Sequence, residues 1–292
     1  MTTHTKADPA KIDPRMIQIR DQQRATWDTF SVGWKQWDEL VLRWLSAVGE
    51  ELIGSAQLHD SSQLLDVAAG TGEPGLSAAS RVPKGKVTST DLSDRMLEVA
   101  AENAAQRGIK NFETRQCDAG ALPFGENSFD AVTCRFGFMF FPDIHAGLTE
   151  MVRVAKPGAR ICAAVWNTPD KNPWATTIIS TIAANVAMPP AQPDSPGLFR
   201  CAAPGFMDSA YREAGLRNSV EKELAGELAF ASPEQYWDFM TAVAAPVVAG
   251  LSKADESTHA QIKRAVLDLV RQTATDGTAR LRWSALTICG EK

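Results

Sequence analysis

With 292 residues, of which 44% are hydrophobic and 22% are charged, the chain has the composition of an ordinary globular protein with enough apolar residues for a large core. Its formal net charge of −5 argues against a protein that binds nucleic acid mainly through charge. The N-terminal residues are polar, and no apolar run reaches the roughly 18 residues that a membrane helix needs. We therefore expect a cytoplasmic protein with neither a signal peptide nor a membrane span.

The cysteines and histidines predict neither a metal site nor a disulfide. The five cysteines are scattered, odd in number and without C-x-x-C spacing. Cys117, Cys134, Cys162 and Cys289 lie in apolar, strand-like runs, where a small buried hydrophobic side chain is the expected role. The four histidines show no ligand spacing. The pattern indicates a reducing compartment and no bound metal.

The first 58 residues are predicted to form a tail followed by a helical lid. From about Ile17 to Ile53, apolar side chains recur at steps of three and four residues, the period of amphipathic helices. Gly33 is expected to separate two such helices. The aromatic side chains of this arm must pack over something, either as plain core or as a lid over a ligand pocket. In the second case its underside would carry Trp27, Phe30, Trp34 and Trp37.

A strand followed by a glycine-rich turn occupies residues 63–75, QLLDVAAGTGEPG. Gly70, Gly72 and Gly75 fit the spacing G-x-G-x-x-G, which occurs in dinucleotide sites but is not specific by itself. Asp66 lies just before this turn, where a carboxylate would repel a pyrophosphate and attract a ligand with ammonium and sulfonium groups. S-adenosylmethionine is such a ligand. Alternatively, Asp66 only caps the turn.

Strands and helices alternate through the rest of the chain, which is typical of parallel βαβ units with helices on both faces. We predict a doubly wound, seven-stranded α/β sheet, mostly parallel and Rossmann-like, with an antiparallel last strand. Residues 59–292 are assigned to this domain, with a helical insertion at about 225–279. The strands expected after the first are Lys86 to Thr90, Asn111 to Cys117, Ser128 to Cys134, Ala159 to Trp166, Leu216 to Leu224 and residues 279–292.

Charged residues follow successive predicted strands, at the edge where such sheets bind ligands. Asp91 lies 19 residues beyond Gly72, close to the offset of about 20 residues at which an acid bonds a ribose in this kind of unit. Asp91 or Ser93 could also cap the next helix. Asp118 follows the third strand and Arg135 the fourth, so we expect these side chains to converge near Asp66.

Five motifs resemble those of the class I S-adenosylmethionine-dependent methyltransferases, most closely the branch of the ubiquinone and menaquinone biosynthesis C-methyltransferases. They cover roughly residues 60–166. They are D-x-A-x-G-x-G at Asp66 to Gly72, DLS at Asp91 to Ser93 followed by Met96, D-A-x-x-L-P-F at Asp118 to Phe124, SFDAV at Ser128 to Val132, and M-x-R-V-x-K-P-G at Met151 to Gly158. Two Trp-Asp pairs, at residues 27–28 and 37–38, resemble the helical arm that such enzymes fold over the cofactor.

The resemblance implies S-adenosyl-L-methionine as the cofactor and a role for each matching position. Ala68 departs from the pattern, because many relatives carry glycine there, and its methyl group would crowd the loop slightly. The implied contacts are Asp66, Ala68, Gly70 and Gly72 at the methionine end, Asp91 at the ribose, Leu92 and Met96 beside the adenine, Asp118 and Ala119 at the adenine amino group, and Arg135 and Phe136 at the transfer site.

In-line methyl transfer from a sulfonium mainly requires alignment and desolvation, so no catalytic base is assigned. His145 and Arg135 are candidates, although His145 could be a solvated surface residue and Arg135 an ion-pair partner. The acceptor is expected to be a small apolar or aromatic molecule, because Phe140 and Trp166 follow strand ends that face the arm.

Two other functions fit parts of the sequence. The glycine spacing would suit an NAD(P)-dependent oxidoreductase, and the lack of an evident base would suit a protein that binds the cofactor without transferring its methyl group. The expected partner is a small-molecule acceptor rather than a nucleic acid, and a homodimer is compatible with the sequence.

Overall fold

The computed structural model describes residues 13–187 and 195–292, so most of the predicted N-terminal tail lies outside the described residues, as do residues 188–194. A mixed sheet forms the centre of the fold, with the strand order β3-β2-β1-β4-β5-β8-β6 and a short β7 paired with β8. The strands are β1 (Gln63–Val67), β2 (Lys86–Asp91), β3 (Phe112–Gln116), β4 (Phe129–Arg135), β5 (Ala155–Trp166), β6 (Arg217–Phe230), β7 (Ala274–Thr275) and β8 (Thr278–Glu291).

The predicted mixed α/β sheet is confirmed. Strands β1 to β5 are parallel, and β8 runs antiparallel between β5 and β6. The central strands are apolar on both faces because helices cover both: Leu64 and Leu65 of β1 and Val132 of β4 have no exposed surface. β6 extends to Phe230, so the first residues of the predicted insertion belong to the sheet.

Helices precede, connect and follow these strands. They are α1 (Pro14–Gln36), α2 (Asp38–Ser55), α3 (Gly75–Ala78), α4 (Asp94–Gln106), α5 (Ile144–Val154), α6 (Pro173–Asn185), α7 (Phe206–Glu213), α8 (Pro233–Val243), α9 (Ala245–Leu251) and α10 (Glu256–Arg271). Among the described residues, no helix is both long and apolar enough to cross a membrane.

The predicted break of the arm at Gly33 is wrong. α1 continues through Gly33 to Gln36, and the chain bends at Trp37 before α2. Gly33 serves a different purpose, because a Cβ at this position would lie 2.0 Å from the carbonyl oxygen of Ala242 in α8. The glycine therefore allows two helix backbones to touch, which a search for helix breaks along one segment does not reveal.

The prediction that no disulfide forms is also wrong. Cys162 of β5 and Cys289 of β8 form a disulfide, with their Cα atoms 4.1 Å apart. They are 127 residues apart in sequence and become direct partners only through the antiparallel register of the two strands. Cys117, Cys134 and Cys201 are free thiols. The cysteines therefore no longer support the expectation of a reducing compartment.

Candidate functional site

The turn between β1 and α3, residues 68–74, is the centre of the candidate site and is called the glycine loop here. Ala68, Gly70 and Gly72 have positive φ angles of 55°, 54° and 110°. A Cβ at Gly72 would lie 2.6 Å from Leu76, whereas a Cβ at Gly70 would meet nothing within 4 Å. The loop therefore packs inward at Gly72 and presents its open side at Gly70, where a ligand can approach the backbone.

Asp66 is fully buried beneath this loop. Its Oδ1 accepts a hydrogen bond of 2.7 Å from the Thr133 hydroxyl, and its Oδ2 accepts one of 3.0 Å from the Gly75 amide. Burial raises the pKa of Asp66 to about 7, although the bond from Thr133 lowers it. The carboxylate thus joins β1, β4 and the start of α3. This geometry favours a positioning role under the loop over direct contact with a ligand.

Asp91, at the end of β2, is attached to both the glycine loop and α4. Its Oδ2 accepts a hydrogen bond of 2.9 Å from the Gly70 amide, and its Oδ1 accepts one of 2.9 Å from the Ser93 amide. Ser93 in turn caps α4, because its hydroxyl accepts from the Met96 amide at 3.1 Å. Burial raises the pKa of Asp91. Asp91 therefore contacts both the cap of α4 and the glycine loop. Leu92, which lies between Asp91 and Ser93 in sequence, is half-buried.

Asp118 and Ala119 follow β3 and are half-buried. The Asp118 carboxylate accepts a hydrogen bond of 2.8 Å from the Gly120 amide. Because β3, β2, β1 and β4 are consecutive neighbours in a parallel arrangement, the expected convergence of Asp66, Asp91, Asp118 and Arg135 at one edge of the sheet follows from the topology.

Arg135 and Phe136 form the opposite rim, at the end of β4. Burial lowers the pKa of Arg135, while the negative charges of Glu73, Asp66 and Asp38 raise it. Phe136 has a φ of 62°, a strained value for a residue with a side chain. Its ring stacks on Trp166 with centroids 4.1 Å apart. The turn continues at Gly137, where a Cβ would lie 2.6 Å from the Ala68 side chain, so this rim packs directly on the glycine loop.

The aromatic residues of the arm divide into a rim group and a core group. In the rim group, the half-buried Trp27 contacts Trp34 and Phe140 edge-on, with centroids 6.2 and 5.0 Å away. Phe30 is also half-buried. In the core group, Trp44 stacks on Trp166 at 5.4 Å, and Trp37 meets Phe239 at 5.6 Å. The core-packing interpretation therefore holds for Trp37 and Trp44, and the lid interpretation stays a prediction for Trp27, Phe30 and Trp34.

Trp166 was expected to line the acceptor pocket, but it is only 4% exposed. It lies between Phe136 and Trp44 and supports the rim from below. The indole N–H groups of Trp34, Trp37 and Trp44 are buried and have no hydrogen-bond partner among the described residues. Buried donors are usually paired, so these three indole groups are exceptions within the aromatic cluster.

Two carboxylates fix the arm to the site, and sequence reasoning did not assign them. Asp28 Oδ1 accepts a hydrogen bond of 2.6 Å from the Ser93 hydroxyl. Asp38 lies 3.8 Å from the Arg107 guanidinium, which also donates to Glu73 of the glycine loop at 2.5 Å. The two Trp-Asp pairs drew attention to Asp28 and Asp38 in the sequence. Their partners could not be inferred, because they lie more than 60 residues away along the chain (28 to 93 and 38 to 107).

His145 stands apart from the other candidates. Its side chain is 61% exposed, and its Nδ1 lies 3.8 Å from the Glu213 carboxylate of α7. The structure thus places it on the outer surface instead of bringing it to the aromatic rim. The described residues also contain no group of three or more histidine, cysteine or acidic side chains arranged to hold a metal ion.

Two surface cavities lie away from the candidate site. Their volumes are about 290 and 240 Å³, and both are lined by Gln57 and Arg160. They border the end of α2 and the start of β5, whereas the glycine loop, Asp91 and Arg135 lie at the carboxyl ends of the strands. These two cavities are therefore separate from the candidate site, which lies under the arm.

Comparison with known proteins gives a matching picture for the middle of the chain. Residues 64–158 match the sequence model of a family described as a methyltransferase domain. A demethylmenaquinone methyltransferase of Deinococcus radiodurans is 36% identical over 118 residues, which are 40% of this chain and 47% of that protein. One of Desulfitobacterium hafniense is 33% identical over 150 residues, which are 49% of this chain and 58% of that protein. The chain thus spans about half the length of the curated relatives it matches.

A solved structure resembles the fold over more of the chain. The crystal structure of the YcgJ protein from Bacillus subtilis superposes with a TM-score of 0.57 and 19% sequence identity, covering 85% of this chain and 98% of that protein. At this level of identity the likeness concerns the fold.

Proposed function

Because residues 64–158 match a family described as a methyltransferase domain, we propose that the chain transfers a methyl group from S-adenosylmethionine to a small apolar or aromatic acceptor. One observation carries the proposal: the open side of the glycine loop at Gly70 is held by Asp91, directly beside the end of β4. The cofactor would supply a methyl group already activated on a sulfonium. The protein's own residues would then mainly bind, orient and exclude water.

The donor set of the site fits this cofactor. The backbone at Ala68, Gly70 and Gly72 would hold the methionine end, with Asp66 keeping the loop in place from below. Asp91 would accept from the ribose, and Asp118 from the adenine amino group. The residues proposed to flank these groups are Leu92, Met96, Ala119, Arg135 and Phe136. The guanidinium of Arg135 would face a carboxylate or an acceptor oxygen.

The acceptor is proposed to lie between the arm and the turn after β4. Trp27, Phe30, Trp34 and Phe140 are half-buried there, and apolar walls with a few polar groups are typical of small-molecule sites. Trp37 and Trp166 would support this wall from the core group. Residues 1–58 would then be a tail and lid and residues 59–292 the catalytic domain, with the helices of the insertion packed against the lid through α8.

The chemistry requires alignment more than a strong base. In-line transfer places the acceptor atom opposite the leaving sulfur, and closure of the arm over the site would desolvate both. No catalytic base is assigned, since His145 is exposed and Arg135 is a cation. An NAD(P)-dependent oxidoreductase is not favoured by the comparisons. Cytoplasmic location, a homodimer and the absence of nucleic-acid binding stay predictions.

The test has a binding step and a transfer step. S-adenosylhomocysteine should raise the melting temperature, because a ligand that binds only the native state stabilises it, and NAD should not. Labelled S-adenosylmethionine is then supplied with demethylmenaquinol, the acceptor suggested by the names of the relatives, and with smaller phenols. Stabilisation by NAD alone, or binding without transfer to any acceptor in the panel or in a cell extract, would contradict the proposal.

A further inference from the structure

The arm meets the cofactor site at two carboxylates, Asp28 of α1 and Asp91 of β2. We propose that Asp28 is a second ribose-binding residue, which accepts from a ribose hydroxyl of the cofactor beside Asp91. This inference rests on the proposed function, because it assigns an arm residue to the same cofactor site. It makes the lid a part of the binding site and not only its cover.

A single residue connects the two carboxylates. The Ser93 hydroxyl donates to Asp28 Oδ1 at 2.6 Å, and the Ser93 amide donates to Asp91 Oδ1 at 2.9 Å. The charges are close enough that Asp28 contributes to the raised pKa of Asp91. Since Asp91 Oδ2 also holds the Gly70 amide, Asp28 is brought to the rim of the glycine loop.

Both carboxylates keep acceptor capacity for a ligand. A carboxylate offers about four lone-pair positions, and each oxygen of Asp91 accepts one backbone hydrogen bond. The Oδ2 atom of Asp28 accepts no hydrogen bond from the residues that the structure describes. Two facing carboxylates repel each other and would repel a third anion. A neutral group with two adjacent hydroxyl donors, such as a ribose, satisfies both without adding charge.

The aspartate of the second Trp-Asp pair, Asp38, anchors the arm through an ion pair and so provides a comparison for Asp28. Asp38 faces a cation, Arg107, at the far end of α4. Asp28 instead bonds a neutral hydroxyl at the near end, and the neighbouring Arg95 hydrogen-bonds Glu98. Among the residues that the structure describes, Asp28 forms no ion pair of its own, as expected for a carboxylate that receives a hydroxyl of the ligand. Asp38 is the matched control because it also ties the arm to α4.

The experiment compares two ligands across variants. Calorimetry measures the Kd of S-adenosylhomocysteine and of its 2′,3′-dideoxyribose analogue for the wild type, Asp28→Ala, Asp28→Asn and Asp38→Ala. We expect Asp28→Ala to weaken S-adenosylhomocysteine binding about tenfold or more, since a hydrogen bond to a charged group contributes roughly 1.5–3 kcal/mol. The same variant should weaken binding of the dideoxy analogue less than about threefold. Asp38→Ala should affect both ligands equally.

The outcomes separate this inference from the proposed function. Equal losses for both ligands in Asp28→Ala would overturn it, since Asp28 would then only anchor the arm. Unchanged affinity of that variant for S-adenosylhomocysteine would overturn it as well. Asp28→Asn, whose amide oxygen can still accept from Ser93, should keep the arm seated and show a smaller loss that again depends on the ribose hydroxyls. A wild-type protein that fails to bind S-adenosylhomocysteine would instead overturn the proposed function.

Discussion

The Thr133 hydroxyl donates a hydrogen bond of 2.7 Å to Asp66, and the carboxylate is completely buried between β1 and β4. The Gly75 amide reaches the other carboxylate oxygen. A buried acid gives up hydration when the protein folds, so its protonation is coupled to stability. Asp66 therefore makes the stability of the fold depend on pH.

The first prediction concerns this pH dependence. Burial raises the pKa of Asp66 to about 7, above its unfolded value of about 3.9, so the native state holds the proton more tightly than the unfolded chain. Between about pH 4 and pH 7 the contribution of Asp66 to stability falls as pH rises, with a limiting slope of about 1.4 kcal/mol per pH unit. Asp66→Asn lacks this contribution. Its melting temperature relative to wild type should therefore rise between pH 5 and pH 7.5.

Asp130 supplies the control for this prediction. Partial burial raises its pKa, but the Gln63 amide and Lys156 outweigh that and lower it overall. Its contribution to stability is therefore complete above the unfolded pKa and is lost only as pH falls through the lowered folded value. Asp130→Asn should show a constant difference from wild type over the same range. A constant difference for Asp66→Asn would show that Asp66 is ionised throughout.

The second prediction concerns Gly75, where the glycine loop enters α3. A Cβ at this position would lie 2.7 Å from the Ser89 hydroxyl and 2.9 Å from Asp66 Oδ2. Gly75→Ala should cost about 1–3 kcal/mol, as overpacking does in well-packed cores. It should also weaken S-adenosylhomocysteine binding, because Asp66 is displaced from the loop. Thermal unfolding and calorimetry measure the two effects.

Gly54→Ala is the comparison for Gly75→Ala. Nothing lies within 4 Å of a Cβ at Gly54 in α2, so the change should raise stability by up to about 1 kcal/mol and leave ligand affinity alone. Equal changes in stability and ligand affinity for the two variants would argue against tight packing around Gly75.

The third prediction concerns the seat of the arm. Gly33→Ala places a methyl group where the Ala242 carbonyl lies 2.0 Å from the Cβ position, so α1 must move away from α8. We expect faster proteolytic cleavage within α1 and weaker ligand binding. Val32→Ala in the same helix is the control, because Val32 is 73% exposed. Limited proteolysis followed by mass spectrometry should distinguish the two variants, and equal cleavage rates would argue against close contact of α1 with α8.

The fourth prediction concerns the Cys162–Cys289 disulfide. Under denaturing, non-reducing conditions a thiol titration should detect three free thiols of the five cysteines. Reduction should lower the free energy of unfolding by about 2–4 kcal/mol, the usual contribution of such a bond. A variant carrying Cys162→Ala and Cys289→Ala should be insensitive to reductant, while Cys201→Ala should keep the wild-type response. Five free thiols in the oxidised protein would refute the bond.

The sheet could be predicted from sequence because its strands are local features. The apolar run of β1 and its glycines lie within thirteen residues (63 to 75), and alternation with helices limits the topology. The acidic strand ends could likewise be placed, since parallel neighbours end at one edge. The resemblance added roles for positions such as Asp118 that the pattern alone left open.

Contacts between distant segments could not be predicted in the same way. Thr133 meets Asp66 across 67 residues, and Cys289 meets Cys162 across 127. Such pairs depend on strand order and register, which hydrophobic periodicity does not specify. The helix break at Gly33 was predicted wrongly for a related reason, because its contact partner Ala242 belongs to a helix near the other end of the chain. The complete burial of Asp66 also follows from tertiary packing, which the pattern of a single strand does not specify.

The arm is linked to α4 through Asp28, through Asp38 and through the ion pair of Lys35 with Glu102, and the two carboxylate links restrict how the arm can move along α4. Asp28 and Asp38 are ten residues apart, and their partners Ser93 and Arg107, fourteen apart, flank the two ends of α4. At 1.5 Å per residue, the helix between Ser93 and Arg107 spans about 21 Å, and the bend of the arm at Trp37 places Asp28 and Asp38 on two different helices. A slide of the arm along α4 by one turn would break both links at once and form neither again. We therefore expect the candidate site to open by α1 lifting away from α4 rather than by sliding along it.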